Sequence, residues 1–209
     1  MKLRELVTVV YDILDKTYPN AKCMLYYTNT LELLIATQLS AQCKDERVNR
    51  VTRVMFPKFR DVYDYAQINP KKIEKMIKSL GLFRNKAQNI VSCCQRIIDY
   101  YDGEVPDTME DLLTLDGVGR KTANLVLGEA FGKEAYIVDT HVKRVCKRIG
   151  LTYGLTPDYV EKELRRIVRP EMSLKFCHLI VHHGRKYCKA RNPECDLCPL
   201  KDVCKKNFE

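Results

Sequence analysis

Apolar residues in this chain recur at steps of three and four, and the segments carrying that period are bracketed by residues that begin and end helices. Leu3, Leu6, Val7, Val10, Ile13 and Leu14 set the pattern near the N-terminus, which places them on one helical face against a core. Most later segments read the same way. Asn69 precedes Pro70 and Thr156 precedes Pro157, each pair suiting a cap followed by a first helical residue, and Thr108 opens a Thr-x-x-Asp cap. Gly81, Gly103, Gly132, Gly150 and Gly184 each follow a helical segment and suit the left-handed conformation that ends one. Alternating strand patterns are nearly absent, with Ala135 to Val138 the one short candidate. The expectation is an all-α chain of about ten helices joined by short turns, without a low-complexity linker or an array of repeats.

Charge and cysteine content narrow the partners. Lys and Arg number 36 against 27 Asp and Glu, a formal net charge of +9, which favours a polyanion or a membrane surface over a neutral partner. The sign alone does not choose; a motif must. No apolar run approaches the roughly 18 residues that span a bilayer, and Met1 to Asp12 lacks the unbroken apolar core of a signal peptide. An intracellular protein with no membrane partner is therefore expected. In a reducing compartment its 10 cysteines are better read as metal ligands, buried thiols or reactive groups than as disulfides.

Two local patterns carry chemistry. Thr114 to Lys121 reads Thr-Leu-Asp-Gly-Val-Gly-Arg-Lys and joins a helix ending near Leu115 to another running from about Arg120 to Phe131. Gly117 and Gly119 let this backbone approach another surface, and the unpaired N–H groups at the positive end of the second helix suit a phosphate. A Gly-x-Gly turn is also an ordinary helix connector, so the flanking residues decide its meaning. The second pattern is Cys188, Cys195, Cys198 and Cys204, spaced C-x6-C-x2-C-x5-C. Four thiolates this close make a metal site, and spacing alone leaves zinc and a [4Fe-4S] cluster both open.

The string Leu-Asp-Gly-Val-Gly-Arg-Lys-Thr-Ala resembles the helix-hairpin-helix of the endonuclease III family of DNA glycosylases, and Val138-Asp139-Thr140-His141 resembles that family's catalytic aspartate segment. Leu39-Ser40-Ala41-Gln42, Gly81-Leu82-Phe83-Arg84-Asn85-Lys86-Ala87 and the terminal cysteines resemble further family segments, so the likeness covers nearly the whole chain. It departs at Asp116, where proline is common, and at Lys44, where threonine is usual.

The resemblance implies two helical lobes with a DNA-binding cleft between them. One is a bundle of residues 22–132 bearing the hairpin; the other is a discontinuous lobe of residues 1–21 and 133–209 holding a [4Fe-4S] cluster on the four cysteines. It implies a monomer acting on damaged double-stranded DNA as a bifunctional glycosylase and AP lyase, with oxidised or ring-saturated pyrimidines as substrates. Lys121 is then the nucleophile and Asp139 assists its deprotonation or stabilises positive charge on the sugar. An amine attacks carbon only when neutral. The first turn of a helix disfavours the ammonium, and partial burial would act in the same direction. Gln42 would enter the space left by the lesion and Leu82 would wedge into the opposite strand. Gly117, Gly119 and Arg120 in the hairpin, with Lys189 and Arg191 in the cysteine loop, would contact the backbone. A further basic set, Lys143, Arg144, Lys147 and Arg148, follows Asp139.

Two rivals share parts of this pattern. A monofunctional mismatch adenine glycosylase has the hairpin, the aspartate and the cluster, but lacks the lysine. A non-catalytic DNA-binding iron-sulfur protein would need only the cluster and the basic surface.

Overall fold

The computed structural model describes residues 2–208. Eleven α-helices follow one another: α1 Leu3–Thr17, α2 Thr30–Leu39, α3 Asp45–Met55, α4 Val62–Gln67, α5 Pro70–Ile77, α6 Phe83–Tyr101, α7 Met109–Thr114, α8 Arg120–Phe131, α9 Thr140–Ile149, α10 Pro157–Ile167 and α11 Ser173–Lys186. Short 3-10 turns at Phe56–Lys58, Lys78–Leu80 and Pro170–Met172 complete the regular structure, and no strand occurs among the described residues. The caps read from sequence are in place. Asn69, Thr108 and Thr156 each accept a backbone N–H from the first turn of α5, α7 and α10, satisfying donors that a helix start leaves unpaired.

The chain forms two compact units. The unit Met24–Lys133 holds α2 to α8. Its centre is made by α2 and α8, which pack on each other. Every residue of α2 from Leu33 to Leu39 is buried, as is every residue of α8 from Ala123 to Gly128, the pattern of helices enclosed on all sides. The long α6 packs against α4 and α5. The other unit joins Met1–Cys23 to Glu134–Glu209. Here α11 packs on α9 and α1. No helix among the described residues is long and apolar enough to cross a membrane.

Two expectations need correction. Gly184 does not end a helix but lies inside α11. A Cβ there would come within 3.0 Å of Val145 Cγ2 and 3.1 Å of His141 Nδ1, so the missing side chain lets α11 approach α9. Ala135 to Val138 form no strand. All four are buried, but they run beside helices: Ala135 N–H donates to Ser173 Oγ at 3.2 Å, and Tyr136 OH donates to the Val168 carbonyl at 2.9 Å.

Candidate active site

The glycine hairpin is a stiff mount for an exposed tip. Leu115 and Val118 are buried, and Val118 N–H donates to the Leu115 carbonyl at 3.1 Å. From α2, the buried Gln38 donates Nε2–H to the Asp116 carbonyl at 3.3 Å. Between these anchors, Asp116, Gly117, Gly119, Arg120 and Lys121 are all exposed. The two glycines have separate reasons to be glycine. Gly117 has φ +75°, and a Cβ there would lie 2.8 Å from Asn89 Nδ2, so the turn itself requires it. Gly119 has φ −100°, which any residue adopts, and its Cβ would meet nothing within 4 Å. Its lack of a side chain leaves the start of α8 open. Lys121 is the second residue of that helix. It is exposed, because the buried stretch of α8 begins only at Ala123.

Gln42 and Leu82 lie on two other loops of the same unit. Both are exposed, with Leu82 at 54%. Both also hold left-handed backbone, φ +54° and +47°, a conformation uncommon outside glycine and strained for leucine. Behind them lies Lys86, a residue whose role local sequence does not announce. Lys86 is buried, and its Nζ donates to the carbonyls of Leu39 at 2.9 Å and Leu80 at 3.2 Å. Burial lowers its pKa. The signal in the sequence is periodic: Lys86 shares a helical face with the buried Ile90, Cys94 and Ile97.

Asp139 belongs to the other unit. It is the N-cap of α9, and its Oδ1 accepts N–H groups from both His141 and Val142 at 2.8 Å. One carboxylate oxygen thus orients the side chain while Oδ2 stands outside the cap. On the same helix, His141 Nδ1 lies 3.1 Å from Arg144 Nη2. Arginine has no acceptor, so the imidazole nitrogen must accept. Burial is the main cause of a lowered His141 pKa; the nearby Asp139 carboxylate opposes it, and Arg144 and Arg185 add to it.

The basic residues after Asp139 are largely occupied within the protein. Arg144 donates to the carbonyls of Cys188 and Gly184, both at 3.0 Å. Arg148 donates to those of Lys189 at 2.6 Å and Ala190 at 3.1 Å, and Lys143 to that of Leu155 at 2.6 Å. Arg144 and Arg148, four residues apart on one helical face, therefore grip the cysteine loop. Lys189 is ion-paired with Glu194, while Arg191 is exposed.

Cys188, Cys195, Cys198 and Cys204 line one cavity together with Tyr187 and Leu200. Leu200 N–H points at Cys198 Sγ and Lys206 N–H at Cys204 Sγ, each at 3.4 Å, and Arg148 Nη1 lies 3.5 Å from Cys188 Sγ. Donors aimed at sulfur stabilise thiolates that bind iron. Four thiols around one shared cavity, with N–H donors aimed at three of their sulfurs, fit a cluster held by four cysteine thiolates. Of the remaining cysteines, Cys93, Cys94, Cys146 and Cys177 are buried. Burial pushes the Cys93 thiol up to about 12, as befits a packing residue. Cys23 and Cys43 are half-buried.

Residues 35–170 match the HhH-GPD superfamily of base excision DNA repair proteins, and residues 188–204 match the iron-sulfur binding domain of endonuclease III. The second match spans the four cysteines, and with it the chain carries a [4Fe-4S] cofactor site. The chain is 46% identical over 202 residues to endonuclease III of Synechocystis sp., covering 96% of this chain and 92% of that one. It is 44% identical to endonuclease III of Bacillus subtilis, covering 93% and 89%. Its structure superposes with a TM-score of 0.93 and 43% identity on a trapped endonuclease III–DNA covalent intermediate, covering 99% and 98% of the two chains. With the hairpin, the aspartate-capped helix and the cysteine loop all in place, the chain belongs to the endonuclease III family of base-excision DNA glycosylases with AP lyase activity.

Proposed function

We propose that Lys121 is the amine nucleophile of this bifunctional glycosylase and AP lyase, and that its substrates are oxidised or ring-saturated pyrimidines and abasic sites in double-stranded DNA. The observation that carries the reading is the placement of Lys121. It is an exposed amine in the first turn of a helix whose body is buried, so a solvent-facing side chain stands on a packed base. The similar endonuclease III was trapped as a covalent intermediate with DNA, and an amine nucleophile accounts for such a bond here.

In the proposed reaction neutral Lys121 Nζ attacks C1′ of the damaged nucleotide. The C1′–N bond breaks, its electron pair leaves with the base, and the base takes up a proton. Nζ gives up a proton, the C1′–O4′ bond breaks with its electron pair leaving on O4′, which takes up a proton, and the opened sugar is joined to Nζ as an imine at C1′. Loss of a proton from C2′ then expels the 3′ phosphate oxygen, cutting the strand, and water releases the lysine. Asp139, held through Oδ1, assists deprotonation of the lysine or balances positive charge on the sugar.

Gln42 fills the vacated space and Leu82 wedges into the opposite strand; their exposure and left-handed backbone support roles that hold a side chain away from the protein surface. The hairpin at Gly117, Gly119 and Arg120 takes a phosphate, and the cysteine loop adds Lys189 and Arg191. Cys188, Cys195, Cys198 and Cys204 would hold the [4Fe-4S] cluster, whose iron-thiolate bonds would cross-link that loop. The protein works as a monomer inside the cell.

The test is borohydride trapping on a duplex carrying 5,6-dihydrouracil. A covalent adduct that is lost in Lys121→Gln is the expected result. Base release without any adduct would overturn the lysine assignment in favour of a monofunctional glycosylase.

A further inference from the structure

We propose that Lys86 is a positioning residue for base extrusion: by bridging the carbonyls of Leu39 and Leu80, it sets the spacing of the loops that carry Gln42 and Leu82. The inference rests on the wedge roles given to those two residues above.

The geometry is specific. Leu39 is the last residue of α2 and stands three positions before Gln42; Leu80 closes the 3-10 turn Lys78–Leu80 and stands two before Leu82. Both carbonyls come from helix ends, which leave acceptors without helical partners and gather partial negative charge. An ammonium offers three donors and no acceptor, so one side chain can hold both ends at once, at 2.9 and 3.2 Å. Lys86 also holds Leu82 through its main chain, its N–H donating to the Leu82 carbonyl at 3.0 Å. On the other loop a turn from Cys43 N–H to the Ser40 carbonyl at 3.0 Å encloses Gln42.

Burying a cation is unfavourable unless it is well bonded. At 5% exposure, Lys86 is too far inside to act as a solubilising lysine or to meet DNA directly. A leucine could fill the space without that cost, but it would leave two carbonyls buried and the two loops unlinked. Two side chains that must enter a duplex together need a fixed separation, and small misplacements at such sites cost rate steeply. A second link of the same kind is weaker and exposed: Arg47 donates to the Ser79 carbonyl at 3.4 Å.

The experiment compares cluster-loaded wild type, K86M, K86R, L82A, Q42A and the double variant K86M/L82A. Single-turnover excision is measured on a 5,6-dihydrouracil duplex. Borohydride trapping on an abasic site in a single-stranded oligonucleotide, where no stack needs opening, serves as the second readout. Visible absorbance and thermal melting report folding, and K86Q, which keeps a donor in the same space, replaces K86M if that protein does not fold. K86M is expected to slow duplex excision by about tenfold or more while single-strand trapping stays within about twofold. K86M/L82A should be no slower than the slower single variant, since both changes act on one step. K86R, keeping the cation, should recover most of the loss. Unchanged duplex excision in K86M, equal loss on both substrates, or fully multiplicative losses in the double variant would each overturn the proposal. If L82A and Q42A lose nothing on duplex, the wedge reading fails and this inference with it; if they lose rate and K86M does not, only the inference fails.

Discussion

Asp139 Oδ1 accepts the backbone N–H of His141 at 2.8 Å, and with the Val142 N–H it makes the catalytic candidate also the cap of α9. The two jobs can be separated, because asparagine caps a helix as well as aspartate does. D139N should melt within about 0.5 kcal/mol of wild type, whereas D139A should lose roughly 1 kcal/mol with the cap. Both should lower base excision by about a hundredfold or more, since asparagine carries neither a base nor a charge. Single-turnover rates and thermal melts on the same preparations decide it. If D139N keeps its rate, Asp139 is a cap and nothing else.

The hairpin glycines should respond in opposite ways. G117A forces a Cβ to within 2.8 Å of Asn89 Nδ2 at φ +75°, and is expected to destabilise the protein by more than about 1 kcal/mol. G119S meets open space at an ordinary φ, and serine is a good N-cap, so stability should hold or rise slightly. Its hydroxyl would nevertheless occupy the N–H groups offered to a phosphate, weakening affinity for an abasic duplex by about fivefold or more. Equal affinity for G119S and wild type would show that the start of α8 is not a phosphate site.

The parts of this structure visible in the sequence are those fixed locally. Thr108, Asn69 and Thr156 cap their helices because the groups they satisfy lie within three residues. Lys121 is readable to its helical position because the hairpin announces where α8 starts. What escapes a sequence reading depends on neighbours distant along the chain. Gly184 has the composition of a helix stop but serves the approach of α11 to α9. Lys86 looks like any surface lysine until its helical face is compared with Ile90 and Ile97. Arg144 and Arg148 read as a basic surface, yet their partners are carbonyls about 40 positions away.

Arg148 offers a test of how the cysteine loop is held. Its guanidinium spans the carbonyls of Lys189 and Ala190, lies 3.5 Å from Cys188 Sγ, and is covered by the Phe208 ring at 5.0 Å. R148M would remove all the polar contacts while keeping bulk. Release of iron to a chelator, followed by visible absorbance, should then accelerate by about tenfold, in line with losses when groups supporting a metal ligand are removed. R148K keeps charge but not the planar fork, and should fall between. Wild-type release rates in R148M would mean that the thiolates alone hold the loop.

His141 sets a pH dependence whose sign follows from its burial. Its folded-state pKa lies below the ordinary 6.5, and the Arg144 donor at Nδ1 requires the neutral ring. Between the folded value and 6.5 the unfolded chain holds more protons, so stability rises with pH across that window and is lost as pH falls through it. His182, also lowered chiefly by burial, contributes in the same direction, so the wild-type slope alone cannot be credited to His141. H141N keeps an acceptor for Arg144 without a titrating group. Urea unfolding at a series of pH values below 6.5 should therefore show a shallower decline for H141N than for wild type, with the two running parallel above 6.5. Parallel declines below 6.5 would mean that protonation of His141 costs the folded state nothing, and that Arg144 is held by the Cys188 and Gly184 carbonyls without it.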